Sequence, residues 1–299
     1  MSKNALIYCV TRTHVHFTAE SLYSVLKHYS SQEPLDVLIV SDDLWDRDRD
    51  FIAALPQMTN QAKVKVQFVP TPSVYMAQIQ DMLNQHPDSP AMWFWRLFMP
   101  FARPEYGRYL YLDNDTMIRG DITPIFSIIA KDKPLAAARD FYYRLYPNLD
   151  DQDAFNLTST ANYVNSGVIL TNGPALRATL PVQKWIDAIN AGYYRFWDQT
   201  ILNIVGENKI QFLPGTLNYQ HEQMWLNMVI APDEYKQAIA SEAPNVLIRH
   251  FAGGSGPYPF MPWDHAVVKD HWEAEYWQNV AELHQLGALF ARNAHPDEW

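Results

Sequence analysis

Short apolar runs alternate with amphipathic stretches through most of this chain. Ala5–Val10 reads as a strand, Asp36–Val40 as a nearly unbroken apolar strand, and Val64–Val69 as a third with alternation. Between the first two, Leu22, Val25, Leu26 and Tyr29 recur at helical spacing, with Thr18 as a candidate cap. The aromatic stretch Pro90–Phe101 reads as a helix, and Tyr109–Leu112 and Leu135–Ala138 read as strands. Tyr163–Leu170 reads as a strand pair, or as a strand with a turn at Asn165-Ser166-Gly167. Val182–Asn190 and Gln199–Val205 carry helical patterns, and Val246–Phe251 is a late strand. The segment Ala266–Leu289 is expected to be a helical tail with a fraying polar end, His295–Trp299. This alternation predicts an α/β fold: a mostly parallel central sheet flanked by helices, with a C-terminal helical tail. No repeat, low-complexity linker or long charge block divides the chain. The expectation is one domain over residues 1–263, with 264–299 as its helical extension.

Composition narrows the function classes. With 48% hydrophobic and 14% aromatic residues, the 299-residue chain buries a large core. Mean hydropathy is −0.26. No apolar run approaches the roughly 20 residues of a membrane helix, and runs such as Pro124–Ala130 are far shorter. Met1-Ser2-Lys3-Asn4 leads directly into the first strand, without a secretory apolar segment. The single cysteine, Cys9, excludes a disulfide framework and a Cys-rich zinc site. The expectation is cytoplasmic, with at most peripheral membrane contact, and the Asn156-Leu157-Thr158 sequon has no meaning there. A net charge of −10 argues against nucleic acid as a partner while leaving room for a local phosphate pocket.

Candidate chemistry centres on Asp113-Asn114-Asp115, which ends the apolar run Tyr109–Leu112. Two carboxylates one residue apart, at the end of a buried strand, repel each other unless a divalent cation sits between them. Such a cation keeps open positions for phosphates, and ligands of parallel sheets bind beyond the carboxyl ends of strands. A capped surface turn is the plainer alternative. Five further places bear on the choice. Arg96, among Trp93, Phe94 and Trp95, grips either an anionic ligand bidentately or a protein carboxylate. Asp140 accepts from a sugar hydroxyl or caps the next segment. Asn165 and Gly167 interrupt an apolar strand, as a ligand-facing backbone or as a turn. Asp198-Gln199 follows aromatic residues and suits sugar recognition, although Asp198 is also a good helix cap. His250 ends a strand, as a structural histidine or, beside a carboxylate-bound metal, as a natural third ligand. Trp95 and Trp197 are the candidate sugar-stacking rings. Two motifs fail: His221-Glu222-Gln223-Met224-Trp225 lacks the second histidine of a zinc protease, and Gly253–Gly256 lacks the Gly-Lys-Ser/Thr of a P-loop.

In this order and spacing, the residues resemble glycosyltransferase family 8, the retaining galactosyl- and glucosyltransferases that include glycogenin. The resemblance runs from about Ala5 to His250. It implies a GT-A fold, a UDP-sugar donor, Mn²⁺ (or Mg²⁺) and a saccharide or glycolipid acceptor, in bacterial surface-glycan assembly. It further implies Asp113, Asp115 and His250 as metal ligands, and Gln199 and Asp198 as catalytic residues under the donor sugar. Thr11, Arg12, Arg96, Asn114, Asp140, Asn165, Gly167 and Gly253 fall on its donor-binding positions.

Two departures stand out. The loop Val10-Thr11-Arg12-Thr13-His14 lacks the family's uracil-reading acid, leaving the Thr11 hydroxyl in its place. The family's Lys-Pro-Trp is expected near Gly256-Pro257-Tyr258, where no lysine stands, so Arg12 or Arg249 is the expected replacement cation. These departures keep a second reading open, a protein that binds or hydrolyses the donor without transfer. A metal-dependent phosphohydrolase is a third class. The acceptor wall is expected over Tyr142–Asn162.

Overall fold

The computed structural model describes residues 3–87, 89–147, 157, 159–192, 194, 196–220, 223–252, 261–264 and 267–294. Its strands are β1 (Asn4–Cys9), β2 (Leu35–Val40), β3 (Val64–Val69), β4 (Arg108–Leu112), β5 (Thr116–Ile118), β6 (Leu135–Arg139), β7 (Val164–Asn172), β8 (Ile210–Leu213) and β9 (Ile248–His250). The helices are α1 (Val15–His28), α2 (Asp46–Met58), α3 (Ser73–Met76), α4 (Gln80–Gln85), α5 (Met92–Ala102) and α6 (Phe141–Leu145), then α7 (Gly173–Thr179), α8 (Val182–Asn190), α9 (Trp197–Gly206), α10 (Gln223–Met228), α11 (Asp233–Ala240) and α12 (His271–Ala294).

Among the described residues, seven strands form one sheet in the order β3-β2-β1-β4-β7-β6-β8. Only β7 runs against its neighbours, pairing antiparallel with both β4 and β6. The sheet is therefore mostly parallel, with helices on both faces. Alternation along β1 sends Leu6 and Tyr8 into the core under α1 and α2, and Ala5 and Ile7 into the core under α5, α8 and α9. A separate antiparallel ribbon, β5–β9, packs with Phe141, Tyr219, Trp272 and Tyr276 in a third apolar cluster.

Three sequence expectations give way. Thr18 lies a turn inside α1, where its hydroxyl donates to Asn114 Oδ1 (2.8 Å) instead of capping the helix. β7 runs unbroken through Asn165-Ser166-Gly167. The polar residues there face side-chain partners, and no chain reversal occurs. Asp198 is already inside α9, which starts at Trp197 with a strained φ of 40°. The segment His295–Trp299 lies outside the described residues.

α12 docks on α1 through polar bonds over an apolar floor. Tyr276 Oη donates to Glu20 Oε2 (2.6 Å), Asn279 Nδ2 donates to Glu20 O (3.0 Å), and Lys27 pairs with Glu282 (2.6 Å). Burial pushes the Glu20 carboxyl up to about 7, and the Tyr276 bond offsets this only in part. A carboxyl whose pKa rises on folding favours the folded state below its unfolded pKa and loses that contribution as pH climbs through the folded value. Urea unfolding should therefore show Glu20→Gln more stable than wild type at pH 8, by on the order of 2 kcal/mol, and close to wild type at pH 5. An equal difference at both pH values would contradict this.

Candidate functional site

β4 delivers Asp113-Asn114-Asp115 at its carboxyl end, and the chain then enters β5. The ribbon register pairs Thr116 with His250, which carries a distant residue alongside Asp115. Phe251 N donates to Asp115 O (2.8 Å) and locks this crossing. Asn114 is pinned from two sides: its Nδ2 donates to Cys9 O (2.9 Å), and its Oδ1 accepts from Thr18. Asn114 thereby ties the acidic turn to β1 and α1.

The two oxygens of Asp113 face different ways. Oδ1 accepts from Tyr111 Oη (2.6 Å) and pairs with Arg96 Nη1 (2.7 Å). Oδ2 lies 3.6 Å from His250 Nε2, which is also 3.2 Å from Asp115 Oδ1. One ligand atom from each of Asp113, Asp115 and His250 falls within 4.8 Å of the others. Gly167 makes this approach possible, because a Cβ there would sit 2.2 Å from the His250 ring and 2.9 Å from Asp113 Oδ2. Two carboxylates and one imidazole, converging where backbone must be bare, fit a divalent cation of the Mn²⁺ or Mg²⁺ kind.

Arg96 is buried, with its side chain 6% exposed, and it serves protein carboxylates: Asp113 and, at 3.4 Å, Asp198. Its face lies over the Tyr111 ring at 4.4 Å. Burial alone would lower its pKa, and Asp113 and Asp198 outweigh that, so it stays charged. Burial pushes Asp198 up to about 6, against Arg96, which holds it down. Burial alone would lower the His250 pKa, and Asp115 and Asp113 reverse this and raise it.

A second polar cluster gathers Asp140, Asn165 and Gln199. Asn165 Nδ2 donates to Gln199 Oε1 (3.0 Å) and Asp140 Oδ2 (3.2 Å), and Gln199 Nε2 donates to Asp140 Oδ2 (3.3 Å). Asp140 is also the N-cap of α6, accepting from Tyr142 N (2.9 Å), which is the capping reading of the two that the sequence offered.

A cavity of about 460 Å³ opens at the acidic turn. Thr11, Asn114, Asp113, Asp115 and Arg96 form its polar side, and His14, Phe17, Trp93, Met261 and Trp263 its aromatic and apolar side. Its size is that of a small-molecule site.

The family model described as glycosyl transferase family 8 matches residues 5–264. The chain belongs to glycosyltransferase family 8. Glycosyltransferase GlyA of Streptococcus pneumoniae is 33% identical over 180 residues, which is 60% of this chain and 22% of GlyA. The lipopolysaccharide glucosyltransferase WaaO of Escherichia coli is 23% identical over 286 residues, 88% of this chain and 76% of WaaO. This chain thus spans about a fifth of GlyA and three quarters of WaaO. Among solved structures, the galactosyltransferase LgtC, in complex with donor and acceptor sugar analogues, superposes with a TM-score of 0.68 at 16% identity. That match covers 93% of this chain and 95% of LgtC, and it shows a shared GT-A fold.

Within this family 8 domain, the two expected replacement cations point elsewhere. The Arg12 guanidinium lies over the Trp45 ring (4.8 Å), and its backbone N–H donates to Asp43 (3.0 Å). Arg249 is buried, donates to the Tyr219 carbonyl (3.0 Å) and to that of His250, and stacks on Phe251 (4.5 Å). Met261-Pro262-Trp263 presents a Pro-Trp pair, with Met261 and Trp263 on the cavity wall and no lysine there. Gly253 and the acids Asp150, Asp151 and Asp153 of the expected acceptor wall lie outside the described residues. Trp197 packs on His86 and Phe94, and Trp95 joins the apolar cluster under α5; neither lines the cavity, whereas their neighbour in sequence Trp93 does, beside Phe17 and Trp263.

Gly167→Ala should keep the fold by circular dichroism and lower Mn²⁺ affinity by about 10-fold or more in calorimetric titration. Unchanged affinity would mean that the close approach of His250 does not shape the site.

Proposed function

We propose that this domain is a metal-dependent, retaining hexosyltransferase that moves a sugar from a UDP-linked donor to a saccharide or glycolipid acceptor. The observation that carries the reading is the convergence of Asp113, Asp115 and His250, with the two aspartates on the wall of a cavity at the carboxyl end of the sheet. Relatives named as glycosyltransferases support it. Among the described residues, no helix is long and apolar enough to cross a membrane.

The chemistry follows from charge. Breaking the anomeric C–O bond leaves positive charge on the sugar and negative charge on the diphosphate. A bound Mn²⁺ or Mg²⁺ supplies Lewis-acid stabilisation of the leaving diphosphate. Asp113 and Asp115 supply the carboxylate ligands, and Arg96 with Tyr111 turns Asp113 so that Oδ2 faces His250. Asn114 keeps the turn in register with β1. Thr11 offers its hydroxyl to the nucleotide, and the Phe17 and Trp263 rings, 4.4 Å apart, form an apolar wall for the base. Asp140 and Gln199 orient the donor sugar, with Asn165 holding both.

Gln199 is a weak nucleophile whose Oε1 already accepts from Ser166 N (3.1 Å) and Asn165. Asp198 is paired with Arg96. Both facts favour front-face attack: the acceptor oxygen bonds to the anomeric carbon, the carbon–phosphate oxygen bond breaks on the same face, and the acceptor proton passes to that phosphate oxygen. Asp198 then acts through its charge, steadying the positive sugar.

Met261 favours a second reading, in which the domain binds or hydrolyses the donor without transfer, because a thioether cannot offset diphosphate charge. Calorimetric titration with UDP, GDP and CDP, with and without Mn²⁺, separates the nucleotides. Radiolabelled UDP-glucose and UDP-galactose then separate transfer from hydrolysis by product. The account expects Mn²⁺-dependent UDP binding that Asp115→Ala removes. Nucleotide binding that ignores both metal and Asp115 would overturn it.

Protons compete with the metal at His250, whose pKa is raised and whose neutral form is the ligand. Mn²⁺ affinity should therefore climb as pH rises through that raised value and level off above it, with roughly one proton released per metal in buffers of different ionisation enthalpy. A flat pH profile would remove His250 from the ligand set.

A further inference from the structure

Asn218 is fully buried between the two polar clusters and bonds to both. It lies on the segment after β8, which is drawn along β9 by Tyr219 N donating to Ile248 O (3.0 Å) and His250 N donating to Tyr219 O (2.9 Å). Two backbone N–H groups of β7 fix the direction of every hydrogen bond around it. Gly167 N donates to Asn165 Oδ1 (2.9 Å), so that atom is the amide oxygen. The Asn218 atom 2.9 Å from it must then be Nδ2, a donor. The other Asn218 atom, 2.9 Å from His250 Nδ1, is therefore an oxygen, and His250 Nδ1 must carry the proton. This leaves Nε2 of the neutral ring as a lone pair facing Asp113 and Asp115. On the other side, Ser166 N donates to Gln199 Oε1, so Gln199 Nε2 is the atom that faces Asp140.

We propose that Asn218 is a positioning residue that sets the His250 tautomer for metal ligation and, through Asn165, holds the Asp140–Gln199 pair in register with the metal side. The naming of a metal side and a sugar side rests on the function proposed above; the direction of the hydrogen bonds does not. Partners that fix a ligand histidine in this way are typically worth about 10–100-fold in metal affinity. Asparagine meets both demands at once, because it accepts from His250 and donates to Asn165. Aspartate would accept from His250 and then face Asn165 Oδ1 with a second acceptor.

The test uses the full chain labelled with ¹⁵N-histidine, first without metal and at a pH above the raised His250 value, where the ring is neutral. Wild type is expected to show a proton on His250 Nδ1, and Asn218→Ala to lose that protected signal and about 10–100-fold in Mn²⁺ affinity. Asn218→Asp is expected to split the two sides. It should keep the Nδ1 proton and near wild-type Mn²⁺ affinity, while UDP-glucose and UDP-galactose lose any advantage over UDP. A surviving Nδ1 proton with unchanged Mn²⁺ affinity in Asn218→Ala would overturn the proposal. An aspartate variant that lost both sides together would also overturn it. Should the alanine variant fail to fold, the aspartate variant alone carries the comparison. A wild type that binds no Mn²⁺ would sink the proposed function, and the tautomer comparison would still decide the role of Asn218.

Discussion

Three carboxylates, Asp113, Asp115 and Asp198, crowd the carboxyl end of the sheet, and their mutual repulsion constrains everything placed around them. Arg96 is the buried cation set between two of them, at 2.7 Å from Asp113 and 3.4 Å from Asp198. Removing it would leave buried charge uncompensated, a loss typically near 3–5 kcal/mol. The third carboxylate, Asp115, meets His250 instead. The cluster keeps excess negative charge on its cavity side, and that excess favours a divalent cation. Because Arg96 is occupied by protein acids, and Met261 rather than a cation lines the opposite wall, a bound divalent cation would be the principal source of positive charge at the cavity.

Topology turns this electrostatic need into geometry. β7 runs against its neighbours, so its opening residues lie beside the carboxyl end of β4, and Asp113 N donates to Gly167 O (2.8 Å). The β5–β9 ribbon folds His250 back over the same point. Gly167 lies where these elements meet, and its missing side chain is what lets them meet. From there, the N–H groups of Ser166 and Gly167 leave the sheet ladder and orient the side chains that lead to Gln199 and to Asn218. One strand opening thus orders both halves of the site.

Much of this was legible in the chain. Val64–Val69 and Val182–Asn190 form the elements that their patterns predict, residue for residue, because local period and burial agree there. Asp113, Asp115 and His250 are brought together as their types suggested. The ribbon strand β5 was not legible, since three residues carry no period. Asn165-Ser166-Gly167 suggested a possible turn because polar residues and glycine usually mark one; here tertiary partners on α9 and the 215–220 segment satisfy them inside a strand. Arg96 left two readings open, and its partners decided for the protein carboxylates. Asn218 gave no signal, because its importance lies in two partners far away in sequence.

The most direct measurement is anomalous diffraction from crystals of the full chain grown with Mn²⁺ and UDP. The account predicts a manganese peak within bonding distance of Asp113, Asp115 and His250 Nε2, with diphosphate oxygens completing its coordination. A peak elsewhere, or UDP bound with no manganese between those three residues, would contradict it.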